Sequence, residues 1–244
     1  MNFSLFLNTR HRVGLLSDLL QSIEKTADDP SSVEILLGID KDDYETANFI
    51  DHLGMVVSDL DLQNNISFYS DNRPTNLHVK MNSLASEARG DHLFVLNDDV
   101  QFVTPGWDTL ILDALKKEAR EPDHIYYVAV SDTSVDKDDR ENYASFPILT
   151  REAYEALGYF MSEKFVGLGA DVHLWRVFDA VDRCIFVPSV TLDHVRHNTL
   201  DRVMSPDAVA QQMRQNTWAN PVDSWSVDIS KEVEKINEKI ACSL

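Results

Sequence analysis

The sequence predicts an α/β fold: a mixed, mostly parallel sheet flanked by helices, closed into a single domain. Three observations point there. The first hundred residues alternate short apolar runs of strand length with segments whose apolar residues recur at helical spacing. Several of the apolar runs stop abruptly at polar residues: Asn8-Thr9-Arg10, Asp40 and Asn97-Asp98-Asp99. And 244 residues with 43% apolar and 26% charged side chains suit one well-filled core at the upper end of single-domain length.

Element by element, Phe3 to Leu7 reads as a buried strand running into a loop, and Val13, Leu15, Leu16, Leu19, Leu20 and Ile23 mark the helix after it. Val33 to Ile39 is a second strand ending at Asp40, and Tyr44 to Leu53 a short helix. Met55 to Val57 and Ile66 to Tyr69 are the third and fourth strand candidates. Asn76 to Ala88 carries Leu77, Met81, Leu84, Ala85 and Ala88 on one helical face, stopped by Gly90. His92 to Leu96 is then a strand and Trp107 to Ala119 a helix. Further on come strands at Ile125 to Val130, Phe146 to Leu149 and Cys184 to Pro188, and helices at Arg151 to Gly158 and Val172 to Val181. Asp132 to Asn142 is a charged loop. Two helical patterns, Asp207 to Asn216 and Ser230 to Ile240, flank an aromatic connector with Trp218, Pro221 and Trp225. No internal repeat or linker breaks the chain.

Composition excludes several classes. A net charge of −19 without a Lys/Arg cluster argues against nucleic acid and anionic membranes as partners. It also means that a bound polyanion needs a cation or a locally basic pocket. Two cysteines, Cys184 and Cys242, make neither a disulfide framework nor a cysteine zinc site. No run approaches the length of a membrane span, and the N-terminus lacks a basic signal-peptide flank, so the expected location is cytoplasmic. The oligomeric state is not written in the sequence.

In parallel α/β sheets, ligands bind outside the C-terminal strand ends. The loops bearing Thr9, Arg10, Asp40 and Asp98-Asp99 should therefore gather along one edge. Adjacent acids at a strand end repel unless a cation or donors offset them. Carboxylates of this kind suit Mg²⁺ or Mn²⁺ bridging a diphosphate, although on spacing alone a solvated turn capping the next helix is the commoner outcome.

The stretch from Lys80 to Asp99 resembles the family 2-like glycosyltransferases with the GT-A fold. There, a helix of the form N-x-x-x-x-x-A-x-G-D leads through a strand to an Asp-x-Asp motif. Here Asn97 stands at the first acid and Asp99 at the second. The resemblance implies that Asp99 meets a Mn²⁺ or Mg²⁺ ion, while Asn97, helped by Asp98, lies near the ribose. Phe6 to Arg12 is similar to the family's first strand and loop beside the nucleotide, which brings in Thr9 and Arg10; Asp40 matches the acid at the base, and Lys80 joins the nucleotide-binding set. Gly167 to Arg176 resembles the segment where a Glu-Asp pair opens a helix. Ala170 replaces the Glu, and Asp171 keeps the acid assigned as general base. Asp193 to His197 resembles the segment carrying a histidine that completes the metal site. His194 is preferred there, with His197 and Arg196 as diphosphate candidates. Trp107 is a candidate sugar-stacking face for an acceptor, with a core role as the alternative.

The likeness spans about residues 3–200. It implies a domain over 1–200; residues 201–244 lie beyond the likeness and are expected to form a helical extension packed on the same domain. It also implies a transferase that moves a sugar from a nucleotide-diphosphate donor, of the UDP-sugar kind, to a carbohydrate or other hydroxyl acceptor, with inversion and a divalent cation. Two alternatives stand beside it. One is a non-catalytic sugar-nucleotide or carbohydrate-binding module, motivated by Asn97 and Ala170. The other is a sugar-phosphate nucleotidyltransferase, which the glycine-poor stretch from Asn8 to Gly14 suits badly.

Overall fold

A computed structural model describes residues 1–72, 76–119, 121–134, 144–165, 169–194 and 224–243. The described residues build an eight-stranded sheet: β1 (Phe3–Asn8), β2 (Val33–Asp40), β3 (Ile66–Asp71), β4 (His92–Val95), β5 (Val100–Phe102), β6 (Tyr127–Asp132), β7 (Ile148–Thr150) and β8 (Cys184–His194). Their spatial order is β3-β2-β1-β4-β7-β6-β8-β5. β1 pairs in parallel with β2 and β4, β2 with β3, and β6 with β8. Only the pairings of β7 with β4 and β6, and of β5 with β8, are antiparallel. Six strands therefore run in one direction and finish on a common edge.

The helices are α1 (Val13–Thr26), α2 (Tyr44–Ile50), α3 (Leu60–Asn64), α4 (Leu77–Glu87), α5 (Trp107–Glu118), α6 (Arg151–Leu157), α7 (Ala170–Asp179) and α8 (Ser230–Ser243). The strands' period-two alternation divides the core between the sheet's faces. Phe3, Leu5 and Leu7 of β1, with Phe94 and Leu96, pack against Leu16, Leu19 and Ile23 of α1 and Ile111 of α5. Phe6, Leu93 and Val95 point the other way, toward Met81 and Leu84 of α4, Ala153 of α6, Leu174 of α7 and Ile236 of α8. Ile236 thus docks α8 on this second face of the sheet.

Three expectations are corrected. Met55 to Val57 is not a strand: a 3-10 turn covers Leu53–Met55, with Met55 exposed and Val57 buried in the core. The Asp59 carboxylate then accepts from the Leu62 N–H and starts α3, a cap that competes with extended structure. β5 was not expected, because three residues after a turn carry too little pattern. β8 runs on past Pro188 to His194, the ladder with β6 shifting register between Val130 and Ser131. A proline at a bulge of this kind gives up no ladder donor. The Asp207 to Asn216 helix, Trp218, Pro221 and most of the 132–142 loop lie outside the described residues.

Candidate active site

The finishing edge of the six parallel strands collects Asn8 at the end of β1, Thr9 and Arg10 after it, Asp40 at the end of β2, Asn97 to Asp99 after β4, Asp132 on β6 and His194 on β8. They form two adjoining groups.

In the first, Asp40 is buried and accepts from Lys80 Nζ at 2.9 Å and from an Arg10 Nη1 at 3.1 Å. Lys80 is itself buried on α4 and also donates to the Ile39 carbonyl at 2.6 Å. It reaches across β2 because position 38 is glycine: a Cβ there would meet Lys80 Cε at 3.0 Å and Asn8 Oδ1 at 2.1 Å. The Asn8 amide lies over this glycine, half-buried, with neither amide atom hydrogen-bonded among the described residues. Arg10 also grips Asp42. His11, held at φ 52, pairs through its Nδ1 with Asp43 at 3.1 Å. Asp43 in turn caps α2 through Thr46.

The second group centres on Asp98 and Asp99, 4% and 2% exposed. Thr9 Oγ1 donates to Asp98 at 2.8 Å, and Arg12 Nη1 lies 2.6 Å from Asp98 and 3.6 Å from Asp99. Burial pushes the Asp98 carboxyl above the usual carboxylate range, with Asp99 adding to the rise and Arg12 and Thr9 only partly opposing it. Burial also works against the Arg12 charge, but Asp98 and Asp99 outweigh it and raise its pKa further.

His194 meets Asp99 because β5 and β8 pair with Val100 opposite His194. Its Nε2 stands 3.5 Å from Asp99 Oδ1, and its Nδ1 is 3.5 Å from Asp132 Oδ2 and 2.9 Å from Ser134 Oγ. Phe146 packs its ring edge-on, 5.1 Å away. Burial works against protonation, yet the two flanking carboxylates outweigh it and raise the His194 pKa to about 9. Asp132, buried too, is held below its ordinary value mainly by His194 and the Ser134 N–H, which outweigh burial.

The other candidates fall elsewhere. Asn97 is half-buried beside Asp98. Asp171 stands in the first turn of α7, half-buried, and burial raises its carboxyl despite the backbone N–H groups of its own turn. It shares no ion pair or hydrogen bond with the Asp98–His194 group among the described residues. Trp107 is corrected from a stacking face to a core residue. It is fully buried, its ring 4.5 Å from Phe102 and 5.1 Å from Phe3, and offers no surface to an acceptor. Arg196 and His197 lie outside the described residues.

Arg12, Asp132 and Ser134 belong to the site but were not singled out in the sequence. Arg12 sits two places beyond Arg10, where loop geometry alone decides which cation faces which acid. Asp132 and Ser134 are about sixty residues from His194 in the chain, and the β6–β8 ladder is what brings them beside it.

Could the site hold a divalent cation? Asp99 and His194 are spaced as two ligands of one ion would be, and carboxylate plus imidazole suits Mn²⁺. Among the described residues no group of three or more such side chains is arranged to hold an ion by itself. The remaining positions would then fall to a diphosphate and water, the usual habit of these hard cations. Each of Arg10, Arg12 and Lys80 already faces a carboxylate, so a diphosphate gains little net positive charge from them.

No family model matches the chain, and no curated protein matches it. Solved structures do match. TarS of S. aureus superposes with a TM-score of 0.63 at 11% identity, covering 98% of this chain, which spans 43% of that protein's chain. TarS 1–349 in complex with UDP-GlcNAc matches with a TM-score of 0.61, also at 11%, over 98% of this chain and 72% of its own. The mannosyltransferase PcManGT from Pyrobaculum calidifontis, in complex with GDP-Man and Mn²⁺, matches with a TM-score of 0.63 at 14%, over 99% and 73%. The architecture is therefore GT-A-like. No helix among the described residues is long and apolar enough to cross a membrane.

Proposed function

We propose that this protein is a glycosyltransferase, carrying a sugar from a nucleotide-diphosphate donor of the UDP-sugar kind to a carbohydrate or other acceptor hydroxyl, with inversion and with a divalent cation. One observation carries the reading. Thr9, Arg10, Asp40, Lys80, Asp98, Asp99 and His194, drawn from five separate chain segments, converge on one strand-end edge of a GT-A-like sheet. The complexes of TarS with UDP-GlcNAc and of PcManGT with GDP-Man and Mn²⁺ lend support to a nucleotide-sugar ligand.

In this reading Asp40, oriented by Lys80 and Arg10, accepts from the base, and Asn97 with Asp98 holds the ribose, Arg12 and Thr9 keeping Asp98 in place. Asp99 and His194 are the residues that would hold Mn²⁺ or Mg²⁺, whose charge, when bound, stabilises the departing diphosphate. Asp171 takes the proton of the acceptor hydroxyl as its oxygen bonds to the anomeric carbon. The bond from that carbon to the diphosphate oxygen breaks with its electron pair, so configuration inverts. A base with a raised proton affinity is suited to this, since an ordinary carboxylate is a weak acceptor. Arg196 and His197 remain candidates for the diphosphate.

A panel of UDP- and GDP-sugars, incubated with Mn²⁺ and with EDTA and followed by NMR, tests the proposal. Free or transferred sugar of inverted configuration in the Mn²⁺ arm is the expected result. Tight nucleotide-sugar binding with no turnover for any donor would instead favour the non-catalytic binding module.

A further inference from the structure

The C-terminal helix α8 and the turn before it flank α7 from its N-terminal glycine to Arg176. Ser224 packs over Gly169, the residue that starts α7. Arg176, two turns along, donates through Nη1 to the carbonyls of Ser224 and, at 3.0 Å, Val227, and the rings of Trp175 and Trp225 meet edge-on at 5.8 Å. Ile236 closes the arrangement in the core, fully buried.

Within this contact one side chain differs from the rest. Glu232 is 8% exposed, and its Oε1 accepts from Lys164 Nζ at 2.8 Å and from the Tyr159 hydroxyl at 3.3 Å. The same oxygen stands 3.9 Å from Nε2 of His173, a fully buried residue. Lys164 lies just before the 166–168 connection and His173 just after it, two places past Asp171. One carboxylate therefore holds Lys164 by an ion pair on the upstream side and packs against the neutral His173 ring of α7 on the other. Its sheet-side counterpart is α4, whose Asn76 and Asn82 amides donate to the carbonyls of Glu163, Phe165 and Met161 on the upstream flank.

We propose that Glu232 is a positioning residue for Asp171, fixing the start of α7 through its ion pair with Lys164 and its packing against His173. This rests on the glycosyltransferase reading with Asp171 as base. It assigns α8 a part in turnover and none in donor binding, because Glu232 shares no hydrogen bond or ion pair with the Asp40 or Asp98 groups among the described residues. Misplacing a reacting group by about an ångström can cost up to about a hundredfold in rate.

Glu232→Ala should lower kcat about ten- to a hundredfold, with the donor KM and the Kd for UDP within about twofold of wild type. Glu232→Gln, which keeps an acceptor for Tyr159 and Lys164, should recover part of that loss. Lys235→Met is the control. Lys235 sits on the same helix but donates to the Leu157 carbonyl of α6, away from α7, so its loss should leave kcat unchanged. Amide hydrogen exchange over residues 169–174 should quicken in Glu232→Ala and stay unaltered in Lys235→Met. Wild-type kcat in Glu232→Ala, unaltered exchange there, or equal losses in Lys235→Met would each overturn the proposal. If the wild-type protein transfers no sugar, the glycosyltransferase reading and the catalytic half of this proposal fall together. The exchange measurement then still decides whether Glu232 holds α7.

Discussion

The sheet buries a carboxylate at each of its two ends. At the starting edge, Glu34 on β2 accepts from the Ser4 hydroxyl, the Arg89 and Gly90 N–H groups and, at 2.8 Å, Arg89 Nε. These donors outweigh burial, and its pKa falls. At the finishing edge, Asp98 has Thr9 and Arg12 but also Asp99 beside it, and burial wins, so its pKa rises. One end is saturated with donors and closed. The other holds carboxylates in excess of what the protein itself neutralises. An edge built the second way costs stability, and it persists where a ligand or ion is to supply the missing charge.

The contrast is broken most directly by rate. If the finishing edge holds the donor and Asp171 on α7 is the base of the proposed transfer, Asp171→Asn should lower turnover by about 10²–10⁴-fold while donor affinity and melting temperature stay near wild type. Burial already disfavours the Asp171 charge, so the neutral amide costs the fold little. Transfer within a few-fold of wild type would reduce Asp171 to a helix-terminal acid, and Asp193, which accepts from Thr133, would be the next base to test.

At the starting edge the reverse outcome is expected. A Cβ on Gly90 would come within 2.7 Å of the Phe3 carbonyl carbon and the Ser4 nitrogen, both backbone atoms with no room to yield. Gly90→Ala should destabilise by about 1–3 kcal/mol in chemical denaturation, with kcat of the folded fraction unchanged. A rate loss larger than the loss of folded protein would show that the two edges are coupled.

Much of this contrast was legible in the sequence. Apolar runs that stop abruptly at Asn8-Thr9-Arg10, Asp40 and Asn97-Asp98-Asp99 give the finishing edge away, since polar and acidic side chains at successive strand ends mark where a ligand-binding edge can form. What was hidden depends on pairing between distant segments. Val100–Phe102 is too short to show a period, and only its register with β8 brings Asp99 to His194. Pro188 reads as the end of a strand that in fact continues through a bulge for six more residues. Trp107 opens a helix, and nothing local distinguishes a ring turned inward to Phe102 from one turned to a sugar.

A smaller effect concerns the charge that the finishing edge lacks. With Arg10, Arg12 and Lys80 committed to carboxylates, UDP should bind about tenfold more weakly in EDTA than in Mn²⁺ by calorimetry. Equal affinity in both would mean that these three cations turn from their carboxylates to the diphosphate, and that the excess of acid is only apparent.

The smallest expected effect is also the sharpest test of the contrast, because the two carboxylates should respond to pH with opposite signs. Glu34 has a folded pKa below its unfolded value of about 4.3. Its contribution to stability is therefore full above that range and is lost as pH falls through the folded pKa. Glu34→Gln should destabilise at pH 7, and the difference from wild type should shrink on acidification. Asp98 has a folded pKa above its unfolded value of about 3.9. Its protonated form favours the fold, and its ionisation costs stability progressively as pH rises through the folded pKa. Asp98→Asn, measured in EDTA, should match wild type in acid and become the more stable protein toward neutral pH, while losing affinity for UDP. Urea midpoints at pH 4 through 8 for both variants decide it. If Asp98→Asn is destabilised at pH 7 as Glu34→Gln is, the Arg12 and Thr9 contacts satisfy Asp98 fully, and the two ends of the sheet are built alike.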